Sequence, residues 1–103
     1  MWANRFSGPS TFLRGMENKP LKQYMVIETF MPGCKDKVYE RFRQNGRMLP
    51  EGLVYINSWL EKDGDRCFQL METNDPSLFQ QWIKQWNDLV KFEIIEIEIG
   101  EAK

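Results

Sequence analysis

The sequence predicts an α+β domain in which four strands form one antiparallel sheet and two helices cover one of its faces. Stretches rich in β-forming residues alternate with stretches whose apolar residues recur at three- and four-residue spacing, in the order β-α-β-β-α-β. Asp63-Gly64 separates the two central β-rich stretches, and Asp-Gly is a strong signal for a tight hairpin turn. Hydrophobic residues make up 42% of the 103 residues, which is enough for the core of one small domain.

The first strand and the first helix follow residue 22. Gln23–Phe30 is rich in β-branched and aromatic residues and is apolar on both faces apart from Glu28 and Thr29. This pattern is typical of a central strand that is covered on both sides. Pro32-Gly33 then turns the chain, and Asp36–Gly46 is predicted to be a helix that Asp36 caps and Gly46 ends.

The hairpin is predicted to join a strand at Leu53–Glu61 to a strand at Arg66–Thr73. With a two-residue turn at Asp63-Gly64, the pairs on one side are Trp59–Phe68, Asn57–Leu70, Tyr55–Glu72 and Glu61–Arg66. The pairs on the other side are Leu60–Cys67, Ser58–Gln69 and Ile56–Met71. Because both sides are mainly apolar, we expect both faces of the sheet to be covered.

The second helix and the last strand follow the hairpin. Pro76–Val90 carries apolar residues at helical spacing, with Asp75 as its predicted cap and Pro76 in its first turn. The buried stripe of this helix is predicted to contain Phe79, Trp82, Ile83, Trp86 and Leu89 or Val90. Lys91–Ile99 alternates isoleucine with glutamate, which is typical of an outer strand with one exposed face.

This element order is the ferredoxin-like, split βαβ arrangement. Two helices cover only one face of a four-stranded sheet, so the second face needs another cover. Because the strands are apolar on both sides, we expect a second copy of the chain to cover that face in a two-fold homodimer. The domain is predicted at residues 21–103, and residues 1–20 are expected to form a flexible extension or an interface arm, with Met16 as an alternative start.

Composition argues against several classes of function. The formal net charge of −1 disfavours a nucleic-acid-binding protein, which needs a basic surface. The absence of histidine removes Cys/His and Ser/His catalytic pairs and histidine ligands for haem or a metal. Two cysteines are too few for a zinc site or a disulfide framework, so a cytoplasmic protein without a cofactor or metal is expected. No apolar run approaches the roughly 18 residues of a membrane span, so no membrane partner is expected.

Several motifs along residues 23–98 point to a known family: YMVIETFMPG, YERF, LPEG, the DG turn, METNDP and WIKQWNDLVKFEI. With these motifs the chain resembles an uncharacterised bacterial family, known only as a domain of unknown function, in the superfamily of dimeric α/β-barrel proteins. The resemblance implies a ferredoxin-like fold that dimerises sheet to sheet, and it implies no established activity. In that family a histidine often follows the tryptophan near the end of the second strand, whereas this chain has Leu60 after Trp59. A role built on that imidazole is therefore in doubt for this chain.

Two glutamates are the candidate catalytic residues. Glu28 and Glu72 lie on strands that are neighbours in this fold. If both side chains point into one cavity, repulsion and desolvation raise one of their pKa values and produce a general acid or base. The alternative is that one of them pairs with Arg47, Arg66 or Lys91, or reaches solvent at a strand end.

Tyr55, Asn57 and Trp59 are the candidate ligand-binding residues, because aromatic walls with a polar anchor are typical of a small-molecule pocket. The alternative is a packed core or a dimer interface, in which Asn57 or Ser58 accepts the indole N–H of Trp59. Cys34 precedes a helix start, where the pKa of a thiol is lowered, so it is either a reactive thiol or an inert loop residue.

Three hypotheses for the function follow. The first is a homodimer that binds a small, mainly apolar molecule. The second is a cofactor-independent enzyme of the monooxygenase or isomerase type, with Glu28 or Glu72 as the base. The third is an interaction module whose barrel is solidly filled. The superfamily to which the resemblance points includes monooxygenases, isomerases, haem-degrading enzymes and ligand binders, and the fold does not choose among them.

Overall fold

A computed structural model describes residues 20–98 of the chain. Its elements are β1 (Lys22–Phe30), α1 (Lys35–Asn45), β2 (Val54–Leu60), β3 (Arg66–Thr73), α2 (Leu78–Ile83) and β4 (Val90–Ile97). The predicted order β-α-β-β-α-β is therefore confirmed. The predictions for residues 1–19, including the extension and the alternative start at Met16, and for Ile99 lie outside the described residues.

The four strands form one antiparallel sheet in the order β2-β3-β1-β4. β1 is central, as its apolar pattern on both faces predicted, and β4 is an edge strand. This arrangement confirms the ferredoxin-like fold class.

The hairpin register agrees with the prediction from Leu60 back to Asn57, including the Trp59–Phe68 and Ser58–Gln69 pairs. It then departs, because Ile56 is an extra residue that forms a β-bulge between Tyr55 and Asn57. The predicted Tyr55–Glu72 and Ile56–Met71 pairs are therefore wrong. Tyr55 lies opposite Met71, and Val54 lies opposite Glu72. The bulge moves Tyr55 to the face that Ser58 occupies, and the two hydroxyl oxygens are 2.7 Å apart.

The helix α1 begins one residue before the prediction. Cys34 is its N-cap, and no side chain caps its first turn, so the predicted capping by Asp36 is wrong. Gly46 ends the helix as predicted, with φ 68° and ψ −159°, and its N–H donates to the carbonyl of Phe42 at 2.8 Å. This backbone conformation is essentially restricted to glycine.

The helix α2 is shorter than the predicted range of 76–90. After Ile83 the chain continues as tight turns to Leu89, in which the N–H of Trp86 donates to the carbonyl of Ile83 at 2.9 Å. Asp75 acts just before the helix, where its Oδ1 accepts from the backbone N–H of Ser77 at 3.1 Å. The predicted buried stripe is nonetheless present, because Phe79, Trp82, Trp86, Leu89 and Val90 are all buried.

The core lies between the sheet and the two helices. Every second residue of β1 from Tyr24 to Phe30 is buried there, and the facing residues of β4, Phe92 and Ile94, pack against it. The other face of the sheet, which we call the open face, carries an apolar band of Met25, Ile27, Trp59, Phe68, Leu70 and Ile95. Trp59 on this face is 48% exposed and Ile95 is 40% exposed. On β4, Ile95 and Ile97 therefore lie on the open face, whereas Ile94 faces the core.

Candidate functional site

A pocket of about 170 Å³ lies between α1 and the helix-covered face of the sheet. Its walls are mainly aromatic and aliphatic, from Phe30, Phe42, Leu60, Trp82 and Trp86 among others. Its polar lining comes from Glu28, Arg47, Ser58 and Gln69. An apolar pocket with a few polar groups is the usual architecture of a small-molecule site.

Glu28 is the buried carboxyl group of this pocket. The alternation of β1 places it on the same face as Val26 and Phe30, and it is only 8% exposed. Nε2 of Gln69 donates a hydrogen bond of 2.7 Å to its Oε2. Within residues 20–98, its other oxygen, Oε1, makes no hydrogen bond with the protein. Glu28 therefore offers one oxygen to a bound molecule.

Burial raises the pKa of Glu28 from 4.5 to about 7, while the hydrogen bond from Gln69 and the charge of Arg47 act in the opposite direction. Both protonation states are then populated near neutral pH. A carboxyl group in this condition can either donate or accept a proton in the pocket.

Arg47 is the cationic residue of the pocket, and it follows directly after the glycine that ends α1. Its guanidinium carbon lies 3.5 Å from the ring centroid of Tyr55 and 5.1 Å from that of Phe42. Its Nε is 3.5 Å from Oε1 of Gln69, at the long limit of a hydrogen bond. Glu28, Gln69 and Arg47 therefore form a polar chain along the pocket.

Two tryptophans hold the backbone of Arg47 in place. Its carbonyl oxygen accepts the indole N–H of Trp82 at 2.9 Å and that of Trp86 at 3.0 Å. Sequence reasoning placed both indoles in the core and considered Arg47 only as a partner for a glutamate. The sequence does contain a signal for this arrangement, because two buried indole N–H groups one helical turn apart need hydrogen-bond acceptors nearby.

Cys67 also lines the pocket, next to Glu28 on the neighbouring strand. Burial and the adjacent Glu28 raise the pKa of its thiol to about 11. The thiol stays protonated at neutral pH, so it packs as a small apolar group and does not act as a nucleophile. Cys34 and Cys67 are both free.

The structure separates the two candidate catalytic glutamates. Glu28 lies opposite Cys67 on the helix-covered face, whereas Glu72 lies opposite Gln23 on the open face. Because successive strand residues alternate between faces, their side chains do not share a cavity. Arg66 pairs with Glu61, with Nε and Oε1 3.0 Å apart, as the hairpin register predicted.

The three candidate ligand-binding residues are also divided between the two faces. Tyr55 lies on the helix-covered face, where its ring contacts the guanidinium group of Arg47. Asn57 and Trp59 lie on the open face opposite Leu70 and Phe68. The Oδ1 of Asn57 accepts the backbone N–H of Ser58 at 2.8 Å. Of the predicted site residues, Glu28 therefore lines the pocket together with Arg47 and Gln69, and Tyr55 supports Arg47 from outside the lining.

Among residues 20–98, no group of three or more carboxylate or thiol side chains is arranged to hold a metal ion. Helices of these residues are too short or too polar to cross a bilayer.

Comparison with models of protein families matches residues 22–97 to a domain of unknown function, DUF3303. This match confirms the resemblance to an uncharacterised family. Neither the curated proteins nor the solved structures with which the chain was compared give a match.

Proposed function

The chain belongs to the DUF3303 family, and we propose that it binds a small, mainly apolar molecule in the pocket between α1 and the sheet, with Glu28 as the polar anchor. The observation that carries this proposal is a buried carboxyl group with one oxygen not bonded by the protein. Burying a carboxyl group among mainly apolar side chains costs free energy, and an apolar residue would fill the same space better. A ligand that hydrogen-bonds to Glu28 accounts for the retained carboxyl group.

The pocket favours a ligand with one ring or a short branched chain and one polar group. The volume of about 170 Å³ is small for a binding site, and aromatic side chains form much of its wall. A protonated Glu28 donates to a carbonyl or hydroxyl oxygen, and an ionised Glu28 accepts from an N–H or O–H group. The open volume argues against a helix-covered interior that is filled entirely by its own side chains.

A second candidate is a cofactor-independent enzyme of the monooxygenase or isomerase type. The observation that favours it is the pKa of about 7 at Glu28, which suits a general base or acid at neutral pH. In this mechanism Glu28 removes a proton from a carbon or oxygen of the bound molecule and returns it later. Glu72 takes no part in that step, because it projects from the opposite face.

We further propose that the protein is a cytoplasmic homodimer in which two open faces pack together. The apolar band on that face supports this proposal, as does Trp59, which is half-exposed on the edge strand β2. One patch that meets its own copy across a two-fold axis needs no second complementary surface. Asn57 lies on the open face opposite Leu70, and in this homodimer it would contact the partner chain. The two free cysteines are compatible with a reducing compartment.

Binding of p-cresol tests the pocket, because this probe has one ring and one hydroxyl group. In a proton–nitrogen correlation spectrum we expect p-cresol to shift the indole N–H signals of Trp82 and Trp86, which line the pocket, and not that of Trp59. Glu28→Leu should weaken binding by about five- to tenfold, the value of one hydrogen bond. Glu51→Leu, at an exposed loop position, is the matched control.

Shifts confined to Trp59, or no shift of any indole signal, contradict the proposed pocket. Equal binding by wild type and Glu28→Leu contradicts the anchoring role of Glu28. Turnover of a bound substrate that Glu28→Gln abolishes, while binding persists, favours the enzyme over the binding protein.

A further inference from the structure

We propose that the natural ligand of this pocket is a small monoanion, a carboxylic acid in its ionised form, whose carboxylate pairs with Arg47. The inference rests on the proposed function, since it names the chemical class of molecule that the pocket binds. It follows from the state of the Arg47 side chain and from the charges that face the pocket.

Arg47 differs from the other arginines of the described chain in having no carboxylate partner. Arg41 pairs with Asp88 at 2.8 Å and Arg66 with Glu61 at 3.0 Å, and Arg43 pairs with Glu40. Within residues 20–98, Nη1 and Nη2 of Arg47 donate no hydrogen bond, although the residue is half-buried. The four N–H groups on these two atoms remain available.

The guanidinium group of Arg47 is held for edge-on recognition. Its central carbon lies over the ring of Tyr55, 3.5 Å from the centroid, and the hydroxyl of Tyr55 is in turn hydrogen-bonded to that of Ser58. The backbone of Arg47 is fixed by the two indoles that donate to its carbonyl oxygen. Stacking occupies the face of a guanidinium group and leaves its edge free for the two parallel hydrogen bonds that a carboxylate accepts.

Glu28 does not neutralise Arg47 by direct contact. The amide of Gln69 stands between them, with Nε2 bonded to Glu28 and Oε1 nearest to Nε of Arg47. These two residues are the charged groups among those that line the pocket. When Glu28 is protonated, the pocket carries a net charge of one positive unit. A monoanion with an apolar body complements this charge and the aromatic walls.

The experiment compares 4-fluorophenylacetate with 4-fluorophenylacetamide, which has nearly the same shape and no charge. Fluorine NMR titrations are made at about pH 6, where Glu28 is mostly protonated. Wild type should bind the acetate at least about tenfold more tightly than the amide, as expected for a hydrogen-bonded ion pair. Arg47→Gln should remove this preference, so that the two probes bind with similar affinity.

The control is Arg43→Gln, which removes a charge from the same helix region at an exposed residue that pairs with Glu40. It should behave like wild type. Arg47→Lys keeps the charge and loses the planar guanidinium group, so it should retain only part of the preference for the acetate. This variant replaces Arg47→Gln in the test if Arg47→Gln fails to fold. Both substitutions preserve the backbone carbonyl that the indoles contact.

Equal affinities for the two probes, or a preference that survives in Arg47→Gln, overturn the anion inference and leave the proposed pocket standing. Binding of the amide without binding of the acetate would likewise overturn the anion inference and leave the proposed pocket standing. Failure of both probes to bind, and of p-cresol to shift the indole signals, overturns the inference and the proposed function together.

Discussion

The carboxyl group of Glu28 lies where core packing would favour an apolar side chain. Its strand neighbours on the same face, Val26 and Phe30, are buried hydrophobic residues. A raised pKa means that the folded protein binds a proton more tightly than the unfolded chain does. Ionisation of Glu28 therefore favours unfolding, and the cost appears as pH rises from the unfolded pKa of 4.5 to the folded value of about 7.

The substitution Glu28→Gln should remove this pH dependence. The free energy of unfolding of wild type should fall by up to about 3 kcal/mol between pH 4.5 and pH 7 and then level off. Glu28→Gln should show no such fall, so above pH 7 it should be the more stable protein. Urea unfolding at a series of pH values measures both. Arginines lower the pKa values of Glu61 and Asp88, so these two groups change the free energy of unfolding only at lower pH.

The matched control for this experiment is Glu51→Gln, at an exposed loop position, which should keep the wild-type pH profile. A wild-type profile that is flat from pH 4.5 to pH 7 would mean that Glu28 is not desolvated in solution. The pocket would then lack the buried carboxyl group on which the proposed function depends.

At the scale of elements, two local irregularities assemble the pocket. The glycine that ends α1 directs Arg47 back toward the helix-covered face, and the bulge at Ile56 brings Tyr55 beneath its guanidinium group. Neither irregularity is needed to make a ferredoxin-like sheet. Each one places a side chain that an ordinary helix end or a regular strand would direct elsewhere.

The substitution Gly46→Ala tests the helix end. A Cβ atom at this position would meet no atom within 4 Å, so the expected cost comes from the backbone conformation alone. With φ 68° and ψ −159°, we expect a loss of about 1 to 3 kcal/mol in the free energy of unfolding. Urea unfolding measures this loss. The control is Asn45→Ala, which lies one residue earlier and inside the helix.

Asn45→Ala should be neutral or slightly stabilising, because alanine favours helices. If Gly46→Ala is equally neutral, the helix end is able to adopt another conformation. In that case the position of Arg47 does not depend on Gly46.

At the scale of the whole molecule, the two faces of the sheet have different roles. The helix-covered face contains the core and the pocket, whereas the open face presents an apolar band without a cover from the described residues. Glu72 and Thr29 lie near opposite ends of this face, so polar groups border the band. This distribution is typical of a protein interface, in which an apolar centre has a polar rim.

The substitution Trp59→Glu tests the homodimer. A charge in the apolar band should convert the dimer to a monomer, because the carboxylate would be buried without a partner. Light scattering after size-exclusion chromatography over a concentration series measures the mass. Gln81→Glu, on the exposed side of α2, introduces the same charge away from the open face and should leave the dimer intact. A wild-type monomer at every concentration contradicts the homodimer.

Much of the architecture was predictable because it depends on local patterns. The Asp-Gly turn aligned β2 with β3 as far as Asn57, and the apolar residues on both sides of Gln23–Phe30 identified the central strand. The extent of α2 was less predictable. Its apolar spacing continues to Val90, but after Ile83 the chain tightens into turns whose stability comes from packing of Trp86 and Leu89 in the core.

Turn residues and apolar periodicity predicted the element order and the fold class, because they act over a few neighbouring residues. The motifs along residues 23–98 identified the family. The three-dimensional arrangement was needed to show that Glu28 and Glu72 project from opposite faces and that Arg47 joins Glu28 in one pocket. The physical reason is that a strand residue alternates between two faces, and no local pattern states which face the helices cover. The position of the site depends on which face the helices cover and on the one-residue bulge at Ile56.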